Sequence, residues 1–496
     1  MITCICCWQL TLAQYTQVPD PNFEQALIDL GYDDVLDGQF LTANVQNVLT
    51  LNVDEKNIFD LTGIEAFVNL DQLFAFDNNI NTIDLSLLPS NLWTLDLTQN
   101  NLTDIDLSFI PNVVNLYLGT NNFNHIDASN LTNVFIFHVS GQNLTNLNLT
   151  NCSNLFSLGC LETSLQTLDL TTCTNLAYFN GHNSQFTSLD FSGNPEVESI
   201  LAYENPLVNI NLPDNPMLDL LGISNTLLTE LDITHCPNLS FIDFSYTDIT
   251  QIDFSNNIAL KSINSIYTSL ETLVITHNLN LETVYMPWGN ISGTIDFSGS
   301  NLLRSFVVLE NPVDAVINTE GAPNLEELDL QGSQITELDL SQNTLLTSVY
   351  ALECPNLQYV NIKNGVNGNF YIFATDNPQL TCMVVDDPNA ENQYILVDED
   401  ITTLVANPED CDNLTVNENE LQNIISTYPN PVKNKLQINT PENITINHIE
   451  IYDVLGKQVL DCDNKTQLDV SGLASGLFFV HIFTNQGSLV KKIIKE

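Results

Sequence analysis

The chain has 496 residues, 44% of them hydrophobic, and a formal net charge of −50 from 61 acidic and 11 basic side chains. This length and composition suit two or three domains with a substantial buried core. So acidic a body repels phosphate backbones and anionic lipids, which argues strongly against nucleic acid as a partner and against direct docking on membranes. Cationic partners, neutral glycans and divalent cations stay compatible with the charge.

The chain opens on a short apolar run from Met1 to Ala13, whose small residues Thr11 and Ala13 suit signal-peptide cleavage before Gln14. The basic residues that usually precede such a run are missing. We therefore expect residues 1–13 to be a truncated or atypical signal peptide, which implies export and permits disulfides. No other stretch approaches the ~18 apolar residues of a membrane span, so we expect none.

A helix is predicted directly after this run, within an N-terminal cap at residues 14–45. Asp20 suits the N-cap, Pro21 the first helical position and Gly31 the C-terminal stop.

Residues 46–387 repeat themselves every 21 or 22 positions, counted from one apolar residue per unit. That residue recurs at Leu70, Leu92, Val113, Val134, Leu155, Leu176, Val197, Leu218, Leu239, Leu260, Leu281, Leu303, Leu325 and Leu346. Each unit carries an L-x-L alternation that places alternate side chains on one face of a strand. A single unit cannot bury that face, so neighbouring units must stack. The repeat predicts a mostly β solenoid.

The pattern L-x-x-L-x-L-x-x-N-x-L resembles the leucine-rich-repeat family. The asparagine that forms a ladder in this family stands at Asn100, Asn121 and Asn205, and other residues replace it at Gln142, Thr163, Ser184, Thr226, Thr247, Thr268, Ser333 and Cys354. The replacements weaken the expected ladder without changing the predicted fold. The repeat fades after Cys382, and we expect a C-terminal cap at residues 388–412. Because similar proteins often close this cap with a disulfide, the resemblance implies a bond between Cys382 and Cys411.

The charge balance changes near the C-terminus, since residues 427–496 hold seven basic and seven acidic side chains. Residues 413–426 are polar without a period and are predicted to be a linker. Alternating apolar strands separated by Pro, Asn and Gly turns then predict a small β-sandwich at 427–496. Its motif residues are Tyr428, Pro429, Asn430, Pro431, Gly456, Gly476, Lys491 and Lys492.

The order of these motifs resembles the type A C-terminal sorting domain of the bacterial type IX secretion system, with Phe478 where the family usually has Tyr. The resemblance implies an address recognised by the secretion machinery. It also implies a protein that passes through the periplasm and is then secreted or attached to the outer surface. An ordinary immunoglobulin-like adhesive domain is the alternative.

No catalytic centre is predicted. The seven histidines occupy different repeat positions, and no G-x-S-x-G, P-loop or H-E-x-x-H motif occurs. We expect no enzyme, no cofactor and no defined metal site.

The concave face of the solenoid carries the candidate binding residues. Strand and strand-end positions that point to solvent hold Tyr178, Tyr203, Phe241, Tyr246, Tyr267, Tyr285 and Trp288, with acidic residues between them. Rigid exposed aromatic residues are typical of recognition surfaces and also stack on sugars. Alternatively, they simply favour strands and shield neighbouring repeats.

A row of aspartates recurs near the end of each unit, at Asp84, Asp106, Asp127, Asp169, Asp190, Asp232, Asp253, Asp296 and Asp339. Local bonding to the backbone, helped by the following Ser or Thr, is the favoured interpretation. Calcium binding is the alternative, since calcium takes oxygen ligands of this kind.

These features predict a secreted or cell-surface leucine-rich-repeat binding protein, an adhesin or receptor with a protein or glycan ligand. The alternative is an acidic structural coat protein without a specific ligand.

Overall fold

The computed structural model describes residues 14–496 except 213, 215, 367–369, 390–393, 399–401, 415–420, 422–423, 442–443 and 485–486. The predicted signal peptide, residues 1–13, lies outside the described residues. The chain divides into two compact units, one reaching to residue 333 and including 348–350, the other comprising 334–347 and 351–496.

The N-terminal end of the first unit is built on the predicted helix, Pro21–Asp29. Strands Tyr15–Gln17 and Gln39–Leu41 pair antiparallel beside it. The buried carboxylate of Asp20 accepts hydrogen bonds from the backbone N–H groups of Asn22 and Phe23, and its other oxygen accepts from Phe59 and Asp60 at 2.6 and 2.9 Å. One side chain therefore caps the helix and also holds the first repeat.

The first unit is dominated by one parallel sheet with a single three-residue strand from each repeat. Its strands are Thr50–Asn52, Gln72–Phe74, Thr94–Asp96, Asn115–Tyr117, Ile136–His138, Ser157–Gly159, Tyr178–Asn180, Ser199–Leu201, Leu220–Gly222, Phe241–Asp243, Ser262–Asn264, Thr283–Tyr285, Ser305–Val307, Glu327–Asp329 and Ser348–Tyr350. Equivalent residues pair in register, as Leu95 does with Leu116. The middle side chain of each strand is buried. The prediction of a mostly β leucine-rich-repeat solenoid is confirmed.

The opposite side of this unit is less regular. Short parallel pairs join His125–Asp127 to Asn146–Asn148, Ser188–Asp190 to Asn209–Asn211, and Gly293–Asp296 to Val313–Ile317. Single 3-10 turns occur at Thr42–Asn44, Ile64–Ala66, Leu85–Leu87, Leu107–Phe109 and Thr319–Gly321.

Two rows of buried side chains bond neighbouring repeats. In the predicted row, the amide of Asn100 donates to the carbonyls of Ala75 and Leu97, at 2.9 and 3.1 Å. The hydroxyl of Thr247 donates only to Phe244, within its own repeat. A second row, not predicted, contains Asn194, Asn257 and Asn278 together with Cys152, Cys173 and Cys236, all buried. The Asn257 amide, for example, donates to the carbonyls of Ile233 and Cys236 at 2.9 and 2.7 Å.

In the second unit, parallel stacking continues beyond the recognisable repeats. Strands Glu337–Asp339, Tyr359–Asn361, Cys382–Val384 and Thr403–Val405 form one parallel sheet, and Tyr371–Ala374 pairs with Tyr394–Val397. A helix follows at Pro408–Leu414. Cys382 and Cys411 form a disulfide that packs against Val384, Tyr359 and Val405. Stacked strands thus run into residues 388–412, the predicted C-terminal cap.

The C-terminal module consists of two antiparallel sheets. One contains Ser426–Tyr428, Lys435–Asn439 and Gln467–Asp469; the other contains, in spatial order, Gln458–Asp463, Ile446–Asp453, Gly476–Thr484 and Gly487–Lys495. Residues of both sheets share one apolar core, which includes Leu436, Ile449 and Val480. Leu421 and Ile425, from the segment predicted as a linker, are buried in the same core.

The Asp20→Ala substitution is expected to destabilise the N-terminal cap by about 2–3 kcal/mol, because backbone donors on both the helix and the first repeat lose their acceptor. Faster hydrogen exchange at residues 22–23 and 59–60 would report the loss. Asp34→Ala removes an exposed carboxylate nearby and serves as the control. Equal exchange in both variants would contradict the role given to Asp20.

Candidate functional site

Next to the predicted asparagine row lies a row of residues in the left-handed backbone conformation. It comprises Glu55, Asp77, Gln99, Thr120, Glu162, Asn183, Glu204, Asn225, Tyr246, Tyr267, Trp288 and Glu310, whose φ angles lie between 50° and 57°. Their N–H groups bond to the next repeat; Tyr246, for example, donates to the carbonyl of Ile266 at 2.7 Å. The conformation is therefore part of how each repeat joins its neighbour.

Three successive members of this row are aromatic and form what we call the aromatic stack: Tyr246, Tyr267 and Trp288. The ring centroids of Tyr246 and Tyr267 are 5.5 Å apart, and those of Tyr267 and Trp288 are 5.0 Å apart with the planes within 12°. All three side chains remain exposed, by 52%, 51% and 41%. The structure thus places three of the predicted binding residues together on the surface.

The backbone of the aromatic stack is strained. The left-handed conformation costs roughly 1–2 kcal/mol for a residue with a Cβ atom, and asparagine and glycine tolerate it best. Other repeats of this chain use asparagine at the same position, as Asn183 and Asn225 do. Stacking stabilises each pair of rings by only ~0.5–1.5 kcal/mol, which offsets part of this conformational cost. Because Gln99, Thr120 and Glu204 adopt the same conformation, the strain alone does not distinguish the aromatic stack from the other repeats.

The rings cover one another, which limits what they offer to a partner. Tyr267 lies between Tyr246 and Trp288: the Trp288 ring stacks on it nearly parallel, and the Tyr246 ring flanks its other side at a tilt of 34°. The stack therefore presents ring edges and phenol hydroxyls to a ligand. Sugar stacking, which uses ring faces, would be confined to its ends.

The other four predicted residues do not join the stack. Tyr285 is exposed at the end of strand Thr283–Tyr285, and Phe241 is half-buried at the start of its strand. Tyr203 stacks on His182 with a centroid distance of 4.6 Å. Tyr178 donates from its hydroxyl to Glu198 at 2.5 Å, and this carboxylate raises the pKa of Tyr178.

Tyr178 instead belongs to a second aromatic group that the sequence did not predict. The rings of Phe135 and Phe156 stack at 4.7 Å, and Phe156 meets Tyr178 edge-on at 5.2 Å. Phe135 is 42% exposed. The sequence pattern that indicates this group is a phenylalanine, Phe135 or Phe156, directly after the first apolar residue of each of two successive units.

A shallow hollow of about 390 Å³ opens on the main sheet between Tyr117, His138 and Tyr178. It exists because Gly119 and Gly159 lack side chains there; a Cβ on Gly159 would lie 3.0 Å from the ring of His138. Burial lowers the pKa of His138, which favours the neutral imidazole at neutral pH.

Carboxylates gather on the main sheet two strands beyond Tyr285. Burial raises the pKa of Asp329 to about 6, and the charges of Glu327 and Glu310 add to this shift. Glu327 also accepts a hydrogen bond from Ser305 at 2.8 Å. This part of the surface therefore has a strong negative potential.

The aspartate row on the other side is bonded within its own repeats, as the favoured interpretation predicted. Asp169, for example, accepts from both the N–H and the hydroxyl of Thr171, at 3.0 and 2.6 Å. Such bonds lower the pKa values of Asp127, Asp169, Asp190, Asp232, Asp253 and Asp296. Asn148 also donates to Asp127 across repeats, at 2.9 Å.

Among the sorting-motif residues, Asn430 bonds to the last strand of the C-terminal module. The Asn430 amide donates to the Lys492 carbonyl at 2.9 Å, and its oxygen accepts from the N–H of Ile494 at 2.8 Å. Tyr428–Pro429 and Asn430–Pro431 are cis peptide bonds. Gly456 precedes strand Gln458–Asp463 and Gly476 begins strand Gly476–Thr484, and both have positive φ angles. Lys491 and Lys492 lie on the last strand.

A protein-family model described as "Secretion system C-terminal sorting domain" matches residues 426–496. These residues are a type IX secretion sorting domain. The chain is therefore a leucine-rich-repeat protein that is secreted or attached to the outer surface. No curated protein matches its sequence.

Solved structures resemble the solenoid at low sequence identity, which establishes the fold alone. The functional domain of InlJ from Listeria monocytogenes, whose description notes a cysteine ladder, has 19% identity and a TM-score of 0.56, covering 98% of this chain and 100% of that one. The internalin InlF from Listeria monocytogenes has 22% identity and a TM-score of 0.52, covering 69% and 98%. A plant peptide hormone receptor, RGFR1, solved in complex with RGF2, has 18% identity and a TM-score of 0.53, covering 72% and 68%.

In the part of the chain that the structure describes, no helix is both long and apolar enough to span a membrane.

The Asp329→Asn substitution is expected to stabilise the fold above pH 6 and to have little effect near pH 4. A carboxyl whose pKa is raised by folding binds more protons when folded, so its contribution to stability falls as the pH rises from 3.8 to about 6. We expect a gain of about 1–2 kcal/mol at pH 7.5, reduced for partial exposure. Denaturant midpoints of both proteins across this range would check it, and a pH-independent difference would contradict it.

Proposed function

We propose that this exported protein acts by binding a protein ligand on the concave face of the solenoid, with the aromatic stack at the centre of the contact. The single observation that carries the proposal is the exposure of three stacked rings on strained left-handed backbone. Phe241 lies on the strand that precedes Tyr246, and Tyr285 lies on the strand that precedes Trp288. Both extend the proposed contact surface. Tyr178 and Tyr203 lie in separate groups and would bind a larger partner only.

A protein ligand suits the stack better than a glycan does. A sugar ring needs an open aromatic face, whereas Tyr267 is covered on both sides by its neighbours. Ring edges and hydroxyls suit backbone carbonyls and packed side chains instead. The fold is compatible with such a ligand, since RGFR1 was solved in complex with RGF2.

Charge indicates which proteins fit. All the excess negative charge precedes residue 427, because the sorting domain is neutral. Glu310 follows Trp288 in the left-handed row, and Glu327 and Asp329 lie together on the strand Glu327–Asp329. A ligand with lysine or arginine side chains would approach this surface faster and bind it more specifically than an acidic one.

The route of export forms part of the same proposal. The sorting domain engages the type IX machinery after the chain has entered the periplasm, and the solenoid then acts outside the outer membrane. An acidic structural coat without a ligand is the competing function, and it predicts no saturable binding.

Replacing the aromatic stack by asparagine, as Y246N/Y267N/W288N, is expected to reduce ligand binding at least tenfold. The same change should leave the fold intact or more stable, since asparagine tolerates the left-handed conformation. The measurement is binding of the full chain to a panel of extracellular proteins and Lys/Arg-rich peptides, with a glycan array alongside.

The matched control is E55N/Q99N/T120N, which makes the same backbone change at three row members without removing a ring. Its binding should equal that of the unaltered protein. Equal binding by the aromatic variant would overturn the role of the stack, and binding to glycans alone would overturn the protein ligand. No saturable binding on either panel would favour the structural coat.

Deletion of residues 426–496 is expected to trap the protein in the periplasm, because the sorting domain is removed. Fractionation of the cells would measure this. A finer change, Asn430→Ala, breaks both bonds to the last strand and should reduce export, whereas Asn439→Ala, at an exposed strand end, should not. Normal export of the deleted chain would refute the role of the domain.

A further inference from the structure

One face of the sorting domain holds a group of polar side chains outside the sorting motif. They lie on the paired strands Ile446–Asp453 and Gln458–Asp463, in three directly opposed pairs: His448 with Asp463, Glu450 with Asp461, and Tyr452 with Gln458. Side chains two residues apart on a strand point to the same face. The register therefore gathers one imidazole and three carboxylates.

Three of these residues aim one ligand atom each at a common point. His448 Nε2 is 3.5 Å from Glu450 Oε1 and 3.4 Å from Asp461 Oδ1, and the three atoms lie within 4.8 Å of one another. Ligand bonds of 2.0–2.2 Å around a tetrahedral zinc ion place neighbouring ligand atoms roughly 3.3–3.5 Å apart. The two distances from the imidazole already have this length. Among the described residues, this is the only such group of three.

Each of the three ligands is oriented by a further side chain. Asp463 Oδ1 lies 2.6 Å from His448 Nδ1, which places the Nδ1 proton on that hydrogen bond and leaves the Nε2 lone pair free. The Tyr452 hydroxyl donates to Glu450 Oε2 at 2.7 Å. Gln458 Nε2 donates to Asp461 Oδ2 at 2.9 Å and more distantly, at 3.3 Å, to Glu450 Oε1, a bond that a metal ion would replace. The carboxylate–histidine arrangement, with the second oxygens of the ligating carboxylates also bonded, is the supporting shell of protein metal sites.

We propose that His448 Nε2, Glu450 Oε1 and Asp461 Oδ1 bind a divalent transition-metal ion of the zinc class. A mixed nitrogen and oxygen ligand set with an imidazole favours such ions over calcium or magnesium. Three protein ligands leave one tetrahedral position for water or for a side chain of another protein. The exported module thereby gains a metal-dependent contact point on its surface.

The test uses the full chain, stripped of metal with a chelator, and Zn²⁺ as the probe in excess Ca²⁺, which occupies weak carboxylate sites. We expect one Zn²⁺ to bind per chain, and His448→Gln to weaken this binding at least tenfold. Asp463→Asn keeps all three ligands but replaces the carboxylate that orients His448, so it should weaken binding about 10–100-fold. Co²⁺ in place of Zn²⁺ should give tetrahedral absorption bands that His448→Gln abolishes.

His235→Gln is the matched control, because His235 is exposed and its two carboxylates face different ring nitrogens: Asp214 lies 3.2 Å from Nδ1 and Asp232 lies 4.0 Å from Nε2. This variant should bind Zn²⁺ like the unaltered protein. Equal Zn²⁺ affinity in the His448→Gln variant, at unchanged thermal stability, would overturn the proposal. So would Co²⁺ bands that are octahedral, or that disappear only in the His235→Gln variant.

Discussion

The hydrogen bond from a buried side chain to the backbone of the preceding repeat is the interaction on which this solenoid depends. A stacked three-residue strand satisfies few backbone groups, and the turns between strands would otherwise leave buried carbonyls without donors. Asn100 supplies this bond in the early repeats. Where Thr247 and Thr268 replace asparagine, the second row takes over with Asn257 and Asn278, whose amides reach the preceding repeat at 2.9 and 3.0 Å. In these two repeats the weakened ladder of one side therefore coincides with a stronger ladder on the other.

The same stacking constraint produces the candidate site. Each repeat needs one left-handed residue to turn from the strand into the ladder, and stacking places these residues side by side at strand spacing. Because the side chain at this position points outward, its chemistry is free to vary among Thr120, Glu204 and Tyr246 without changing the turn. Asparagine would serve stability best at this position. The turn itself therefore does not require aromatic rings at Tyr246, Tyr267 and Trp288.

The repeat period was enough to predict the strands, their buried centres and the solenoid, because units of 21 or 22 residues bury their apolar faces by stacking on one another. It was not enough to group the aromatic residues, because a period gives the face of a side chain but not its rotamer. Tyr203 consequently joins His182 and not Tyr246. The second ladder was visible as Asn257 and Asn278, one repeat apart, but amides also occur on surfaces. The histidine–carboxylate group depends on a strand register that is shifted between Ile451 and Tyr452, and no local pattern encodes it.

Carboxylates on the two sides of the solenoid lie in opposite electrostatic environments. Asp169 and its equivalents are stabilised as anions by donors two residues away, so they have little need for an external cation. On the main sheet, Asp329 is partly desolvated beside Glu327 and Glu310, and both effects raise its pKa and disfavour its charged form. A basic side chain placed there would stabilise that charged form. The same ligand would gain nothing comparable from the aspartate row. The pKa shifts thus favour the main sheet, beside the aromatic stack, as the side that receives a ligand.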